Sequence, residues 1–296
     1  MLDKTKTVVA LGYFDSVHKG HQKVMKTAGR YAKEQGASFC VITFDGNLKT
    51  ALGFNEEKNV YTKSERERLI KNVGADTIYF APVTKEFLSK SATEFLDFIN
   101  QKFDIIAYVS GSDYRFGKNG EGNVEFLKYY AKSHSQTCIT EELESEGGEK
   151  ISTTRIKDLL SNGKIEKANE LLGRAYSVTG TVFSDRQVGR KLGFPTININ
   201  VDSEKVKLYS GVYKGRVNID NKEYKVIANY GARPTFNLSS SLVEAHILDF
   251  NGDLYGKEIT VKFDKFIREI IKFESQEQLV LQINKDLSAV KEGKYD

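Results

Sequence analysis

The first half of the chain alternates short apolar runs with amphipathic segments. Apolar and β-branched runs predict five strands, at Thr7–Phe14, Ser38–Phe44, DTIYFAPV, Ile105–Gly111 and SQTCITEE. Between them, apolar residues recur every three or four positions, which predicts helices from about Gly20 to Gly36 and at Ser64–Val73, Thr93–Gln101 and Phe126–Lys132. Strands alternating with helices predict an α/β domain with a doubly wound parallel sheet, where ligands bind beyond the carboxyl ends of the strands.

The pattern changes in the second half. The acidic stretch Glu141–Lys150 is expected to be an exposed loop, and a helical segment follows it at Ser152–Leu172. From Tyr176, short alternating runs with Gly or Asn turns predict a small antiparallel β-barrel or sandwich. The tail from Ser275 predicts a closing amphipathic helix with one apolar face, formed by Leu279, Val280, Ile283 and Leu287. We therefore expect two domains, 1–174 and 175–296.

The composition narrows the class of protein. With 296 residues, 40% hydrophobic and 28% charged, the chain is typical of a folded protein of about two domains and not of a disordered or fibrous one. The net charge of +4 is too small to indicate a nucleic-acid partner. There is no membrane-length apolar run and no signal-peptide pattern. We expect a cytoplasmic monomer or weak homo-oligomer, with Cys40 and Cys138 as free thiols buried in strands.

The first chemical motif is GYFDSVHKGHQ, which joins the first strand to its helix. His18 and His21 are three residues apart, so both imidazoles lie on one side of the first helical turn, and Gly20 allows close backbone approach. A helix N-terminus favours phosphate, and two histidines can stabilise the charge that develops during adenylyl transfer. The alternatives are two polar surface residues or, less favoured, a metal pair, because no further ligand stands at suitable spacing.

Two more segments favour phosphate binding. GSDYRFGKNGEG (Gly111–Gly122) directly follows the fourth predicted strand and contains an acid, two bases and four glycines. ISTTRIK (Ile151–Lys157) opens the next helix with hydroxyls and cations, which can cap that helix or hold a phosphate. A cap alone would explain the second segment, but three such segments together favour a nucleotide site.

The second half carries a different group of motifs. GRKLGFPTININ (Gly189–Asn200) places Thr196 and Asn198 at alternate positions of a strand, so both can present oxygen ligands to Mg²⁺. ANYGARPTFN follows, and then SLVEAHILDFNGDLYG, in which Glu244 stands among apolar residues and could act as a general base. The alternatives are a hairpin turn with a rigid Pro195 and an exposed position for Glu244.

Together these motifs resemble a known family. GYFDSVHKGH resembles G-x-F-D-G-V-H-x-G-H, GSDYRFGKNGEG resembles G-x-D-F-x-F-G-x-x-x-x-G, and ISTTRIK resembles I-S-S-T-x-I-R. The second half resembles G-R-x-L-G-F-P-T-A-N, N-x-G-x-R-P-T-F and V-E-x-H-x-L-D-F-x-x-D-L-Y-G, in that order. From about Val8 to Val290 the chain resembles the bacterial bifunctional riboflavin kinase/FAD synthetases.

The resemblance implies a nucleotidylyltransferase fold of the H-x-G-H type that transfers AMP from ATP to FMN, and a barrel that phosphorylates riboflavin with ATP and Mg²⁺. It implies that His18, His21 and Glu244 are catalytic, the last as a base on the flavin 5′-hydroxyl, and that Thr196 and Asn198 bind Mg²⁺. It also implies nucleotide- or phosphate-binding roles for Gly12, Phe14, Asp15, Gly20, Asp113, Ser152, Thr153, Thr154, Lys157, Gly189, Arg190, Gly193, Pro195, Asn229 and Arg233. Riboflavin, FMN and ATP are the expected small-molecule partners.

The departures from the family patterns fall mainly in the first module. Ser16 replaces a glycine, Lys157 replaces an arginine, and the family's T-F-D-P-H-P becomes TFDGNLKT, without the two prolines and the histidine. In the second module Ile197 replaces an alanine. These departures leave open a riboflavin kinase with a degenerate flavin- or nucleotide-binding first module. Two further hypotheses are a flavin carrier and an RNA-binding or RNA-modifying protein with a similar histidine loop.

Overall fold

The computed structural model describes residues 5–51, 53, 58–184, 192–232 and 241–293. Internal contacts divide the chain into two compact units, Met1–Thr153 and Thr154–Asp296. This division lies before the expected domain boundary at 174/175, because the helix Ile165–Leu172 packs against strands of the second unit. Its buried residues are Ile165, Ala168, Leu171 and Leu172.

The first unit is built on a five-stranded parallel sheet, as the alternating pattern predicts. The strands are β1 (Lys6–Leu11), β2 (Ser38–Asp45), β3 (Thr77–Pro82), β4 (Asp104–Gly111) and β5 (Thr137–Glu141), in the spatial order β3-β2-β1-β4-β5. The helices are α1 (Lys19–Glu34), α2 (Leu48–Ala51), α3 (Lys63–Val73), α4 (Lys85–Leu88), α5 (Ala92–Lys102) and α6 (Val124–Ser133). The order changes direction between β1 and β4, which makes their carboxyl ends the expected place for a ligand.

Both faces of the sheet are covered, so its central strand β1 is apolar from Val8 to Leu11. Val8 and Ala10 of β1 belong to a core cluster that contains Met25 of α1. Val9 and Leu11 belong to the opposite cluster, with side chains of α5 and α6. The alternation of side chains along a strand explains this division.

Two local predictions need correction. The first predicted strand ends at Leu11 rather than Phe14, which lies in the following loop with φ 47°. The stretch Glu141–Lys150 contains a short hairpin, β6 (Ser145–Glu146) paired with β7 (Glu149–Lys150). Gly147 and Gly148 between them have φ of 64° and 77°, the left-handed values that a two-residue hairpin turn requires.

The second unit contains a closed six-stranded antiparallel barrel, in agreement with the sequence. Its strands are β8 (Tyr176–Phe183), β9 (Thr196–Asn200), β10 (Gly211–Ile219), β11 (Lys222–Ala232), β12 (Ser241–Ile247) and β13 (Glu258–Arg268), in the order β10-β11-β12-β9-β8-β13. The predicted helical segment forms two helices, α7 (Thr153–Ser161) and α8 (Ile165–Leu172), separated at Gly163. The closing helix α9 (Gln276–Lys291) begins after Ser275, whose hydroxyl caps it.

The two cysteines are free thiols, as expected. Cys40 is buried in β2, and Cys138 is half-buried in β5. Within the described residues, none of the helices combines the length and apolar character needed to span a bilayer.

Candidate active sites

The first candidate site lies at the carboxyl ends of β1, β4 and β5. A cavity of about 310 Å³ opens there, and we call it the sheet cavity. Its lining contains eight of the residues predicted from the sequence, namely Gly12, Phe14, His18, Gly20, His21, Asp113, Ser152 and Thr153. The fold therefore brings the histidine loop, the segment after β4 and the first residues of ISTTRIK to one place.

The histidine pair forms the start of α1. His18 is the N-cap, and its Nδ1 accepts a hydrogen bond from the backbone N–H of His21 at 3.1 Å. The two rings stack with centroids 3.6 Å apart, and the Phe14 ring meets His21 edge-on at 5.2 Å. Because Nδ1 of His18 accepts, the neutral ring carries its proton on Nε2 and can donate it to a ligand oxygen.

The loop before the helix is packed too tightly for larger residues. A Cβ on Gly12 would lie 2.6 Å from the Phe14 ring, so glycine is needed there. Ser16, which departs from the family pattern, has its Oγ 3.0 Å from Oγ1 of Thr153. This hydrogen bond connects the histidine loop to the ISTTRIK segment.

Ion pairs surround the cavity on the side of the β6–β7 hairpin. Lys150 Nζ lies 2.5 Å from Asp113, Lys23 Nζ lies 2.6 Å from Glu144, and Lys19 pairs with Glu146 at 3.5 Å. The hydrogen bond to Glu144 raises the pKa of Lys23. These half-exposed cations were not singled out from the sequence, because their partners come from distant segments.

Arg66 of α3 is a second feature that the sequence did not reveal. It is buried, and its guanidinium donates to the carbonyls of Tyr13, at 3.3 Å, and Phe44, at 2.9 Å. Tyr13 and Phe44 line the sheet cavity, so Arg66 fixes the carboxyl ends of β1 and β2 beside it. Its charge and helical spacing alone were equally compatible with an exposed position.

The segment TFDGNLKT, which departs from the family pattern, is held by a small network of hydrogen bonds. Tyr13 Oη donates to Asn59 Oδ1 at 2.8 Å and lies 3.1 Å from the carbonyl of Gly46. Asn47 Nδ2 donates to the same Asn59 oxygen at 3.0 Å. The segment is thus hydrogen-bonded to the loop that lines the sheet cavity, without the family's prolines and histidine.

Three predicted residues of this site lie elsewhere. Asp15 is fully buried, and its Oδ1 accepts from the backbone N–H of Val60 at 2.9 Å. Thr154 and Lys157 lie on α7, in the second unit.

The barrel contains the second candidate site, which consists of two cavities. The loop cavity, about 610 Å³, is lined by Pro195, Thr196 and Asn198 and by residues 250–255. The helix cavity, about 310 Å³, is lined by Thr196, Asn229 and Glu244 and by apolar side chains of α9, namely Leu279, Ile283 and Leu287. Thr196 lines both cavities, so a group bound in one lies next to a group bound in the other.

Polar side chains meet where the two cavities join. Thr196 Oγ1 donates to Glu244 Oε1 at 2.9 Å. In the antiparallel ladder Glu244 is opposite Asn198 on one side and Asn229 on the other. The prediction that Thr196 and Asn198 share a face agrees with this register, and Glu244 is half-buried rather than exposed.

An ion pair that the sequence did not indicate also lines the helix cavity. Arg268 of β13 donates to Asp286 of α9 from Nε at 3.0 Å and from Nη2 at 2.8 Å. Asp286 is buried, and this pairing joins two elements that only the tertiary fold brings together. Gly193, with φ 87°, lies between two residues of this lining, Leu192 and Phe194.

Three predicted residues, Gly189, Arg190 and Arg233, lie outside the described part of the chain. Within that part, no group of three or more His, Cys, Asp and Glu residues is arranged to hold a metal ion.

The first unit is a parallel α/β fold with a histidine loop where the strand order changes direction. The second unit is a barrel with two adjoining cavities. Together they define a two-domain transferase that uses nucleotides. The family model for FAD synthetase matches residues 1–155, and the model for riboflavin kinase matches residues 172–293. The chain belongs to the family of bifunctional riboflavin kinase/FMN adenylyltransferases, also called riboflavin kinase/FAD synthetases.

Relatives match over nearly the whole chain. The bifunctional riboflavin kinase/FMN adenylyltransferase of Listeria monocytogenes is 34% identical over 94% of this chain and 90% of its own length. That of Bacillus subtilis is 33% identical over 96% and 91%. A crystal structure described as a macrolide-efflux protein from Streptococcus pneumoniae has a TM-score of 0.88 at 31% identity and covers 98% of this chain and 96% of that chain.

Proposed function

We propose that the chain converts riboflavin to FMN in the barrel and FMN to FAD in the α/β unit, with ATP as the second substrate of both steps. The observation that carries the kinase assignment is that the loop and helix cavities meet at Thr196, beside Glu244. Phosphoryl transfer needs a donor and an acceptor hydroxyl in line and a few ångströms apart, which two adjoining cavities provide.

In the kinase step the loop cavity would hold ATP and the helix cavity the flavin. The helix cavity suits a flat, largely apolar ring because α9 contributes leucine and isoleucine side chains to it. Glu244 would accept the proton of the ribityl 5′-hydroxyl as that oxygen attacks the terminal phosphate. Asn229 would orient the substrate, and Pro195, Gly193 and the predicted residues Gly189, Arg190 and Arg233 would contact nucleotide or phosphate.

Thr196 and Asn198 fit a magnesium ion. Both project from the same face of β9, and their hydroxyl and amide oxygens are the hard ligands that Mg²⁺ prefers. Magnesium sites in nucleotide enzymes use few protein ligands because phosphate oxygens and water complete the coordination, so such a site does not need a cluster of carboxylates. When bound, Mg²⁺ would neutralise the charge on the transferred phosphoryl group.

In the adenylyl-transfer step the sheet cavity would hold ATP and FMN. His18 and His21 would donate hydrogen bonds to the α-phosphate as charge develops there, and the positive end of the α1 dipole would support them. Gly12, Phe14 and Gly20 would shape the cradle, with Asp15 buried behind it. Phosphate oxygens would also contact Asp113, Ser152 and Thr153, which line the cavity. The phosphate contacts of Thr154 and Lys157, which lie on α7, stay predictions.

The functional modules would extend over residues 1–174 and 175–296. The free thiols of Cys40 and Cys138 suit a reducing compartment, which supports the cytoplasm as the site of this activity.

The test is an incubation of the purified protein with riboflavin, ATP and Mg²⁺, with the flavins separated by chromatography. FMN should appear first and FAD after it. FMN alone would reject the adenylyl-transfer assignment and favour the kinase with a degenerate first module. Absence of both products would reject the whole proposal.

A variant then tests the base. Glu244→Gln should lower FMN formation by about 10²–10⁴-fold while FMN added from outside is still converted to FAD. Glu204→Gln is the matched control, because Glu204 is exposed on a loop of the same unit. Full FMN formation by Glu244→Gln would exclude Glu244 as the base.

A further inference from the structure

We propose that His246 is a positioning residue of the kinase site, which holds the Pro195–Thr196 segment in place for phosphoryl transfer. This inference rests on the proposed kinase function. His246 is two residues from Glu244 on the same face of β12, and it lines the helix cavity.

The contact that carries the inference is a hydrogen bond from a side chain to the main chain. Nδ1 of His246 lies 2.8 Å from the carbonyl oxygen of Pro195. A carbonyl oxygen can only accept, so Nδ1 carries the proton.

This bond lies just beyond the end of the strand ladder. Strand β9 begins at Thr196, which is opposite His246, and Pro195 has no N–H to continue the ladder. The imidazole therefore fixes the main chain at the point where backbone hydrogen bonding to β12 ends.

The Pro195–Thr196 segment and the imidazole that holds it line the two cavities of the kinase site. Pro195 lines the loop cavity, His246 lines the helix cavity, and Thr196 lines both. Glu244 holds the Thr196 hydroxyl, and His246 holds the Pro195 carbonyl, so two side chains of β12 fix the Pro195–Thr196 segment at two points. A displacement of about 1 Å at such a point can lower a rate by about 10²-fold.

The ring itself is held by an aromatic neighbour. Phe194 meets His246 edge to face, with centroids 6.0 Å apart and an interplanar angle of 86°. This contact restricts the ring plane and keeps Nδ1 directed at the carbonyl.

The geometry distinguishes three substitutions. In His246→Asn the amide nitrogen can take the place of Nδ1 and still donate to Pro195. In His246→Gln the amide stands one bond further out, and in His246→Leu there is no donor. Asparagine should therefore preserve the function, and glutamine and leucine should not.

The experiment measures kcat and KM for riboflavin phosphorylation by the full-length variants, with riboflavin binding followed by fluorescence. His246→Leu and His246→Gln should lower kcat about 10-fold or more while the Kd for riboflavin changes less than about 3-fold, and His246→Asn should stay within about 3-fold of wild type in kcat. FMN adenylylation should be unchanged in every variant.

Each result has a defined meaning. Wild-type kcat in His246→Leu and His246→Gln would overturn the inference. An equal loss of kcat in all three variants would also overturn it, because the imidazole would then act on the substrate directly. If His246→Leu fails to bind riboflavin, the kcat values of His246→Asn and His246→Gln are compared instead, and equal values would overturn the inference. A wild-type enzyme that makes no FMN would reject the proposed function instead.

Discussion

His18 shows how one side chain can serve both the fold and the chemistry. Its Nδ1 caps α1, and its ring stacks on His21 in the sheet cavity. Asparagine is also a good N-cap, whereas alanine is not. Substitutions at this position can therefore separate the structural role of the residue from its proposed contact with ATP.

His18→Asn and His18→Ala should both lower FAD formation by about 10²–10³-fold, because both lack the imidazole donor. Only His18→Ala should also lower the free energy of unfolding, by about 1 kcal/mol, since it removes the cap. Assays of FMN adenylylation and thermal melts check this. Riboflavin phosphorylation should remain normal in both. Wild-type FAD formation by His18→Asn would exclude the imidazole from the reaction.

Burial determines the reactivity of the thiols. Burial raises the pKa of Cys40 from 9.0 to about 12, and it also raises the pKa of Cys138. At pH 8 only about one Cys40 in 10⁴ is a thiolate, so a disulfide reagent should react slowly with the folded protein. In urea, where both thiols are exposed, the same reagent should react with both cysteines. Since the folded-state pKa of Cys40 is raised, the stability linked to its burial should be lost as pH rises from about 9 towards 12. Rapid reaction of Cys40 at pH 8 would contradict its buried position.

At the scale of secondary-structure elements, reciprocal caps begin two helices of the first unit. Thr62 with Glu65 begins α3, and Ser91 with Glu94 begins α5. In each, the hydroxyl accepts from the backbone N–H three residues later, and the carboxylate accepts from the N–H of the cap residue. A hydroxyl residue followed three positions later by glutamate is a helix-start signal that the sequence displays directly.

Ser91→Ala should lower the free energy of unfolding by about 1 kcal/mol at pH 7, and Ser91→Thr should not, because threonine can also cap. Urea denaturation measures both. The backbone N–H of Ser91 and its hydroxyl both lower the pKa of Glu94, so the contribution of the carboxylate is present at neutral pH and is lost as pH falls through the lowered pKa. Alanine keeps the N–H and loses the hydroxyl, so only the part due to the hydroxyl differs between the variant and wild type. The difference between Ser91→Ala and wild type should thus shrink in acid. Equal stability of alanine and serine at pH 7 would show that this cap is not needed.

At the scale of the whole molecule, the two proposed activities lie in separate units and use separate side chains. Each unit has its own core and its own cavity lining. FMN made by one chain can then be used by another, provided that it is released.

A mixture of His21→Ala and Glu244→Gln should therefore make FAD from riboflavin, although neither variant does so alone. The first supplies FMN and the second adenylylates it. The FAD yield should rise with the concentration of both proteins, and chromatography of the flavins measures it. If the mixture makes FMN but no FAD, while Glu244→Gln still converts added FMN, transfer would require both sites in one chain.

Local sequence patterns determined the order and type of most elements. Periodicity predicted the parallel sheet, the barrel and the closing helix, because burial on one face or two leaves a repeating apolar pattern. The motifs likewise placed the histidine pair at a helix start, and Thr196 with Asn198 on one face of a strand, since both depend only on short-range geometry. The predicted contacts of Gly189, Arg190 and Arg233 remain predictions.

Only the tertiary structure decided which distant residues meet. The contacts Thr196–Glu244, Lys150–Asp113 and Arg268–Asp286 join segments from different elements, and no pattern in a single chain specifies such pairs. Packing also ended β1 at Leu11 and assigned α8 to the second unit, because its apolar face contacts β8 and β13. Local periodicity follows from backbone geometry over a few residues. Cavities and ion pairs depend on how whole elements pack, and that packing depends on residues from all parts of the chain at once.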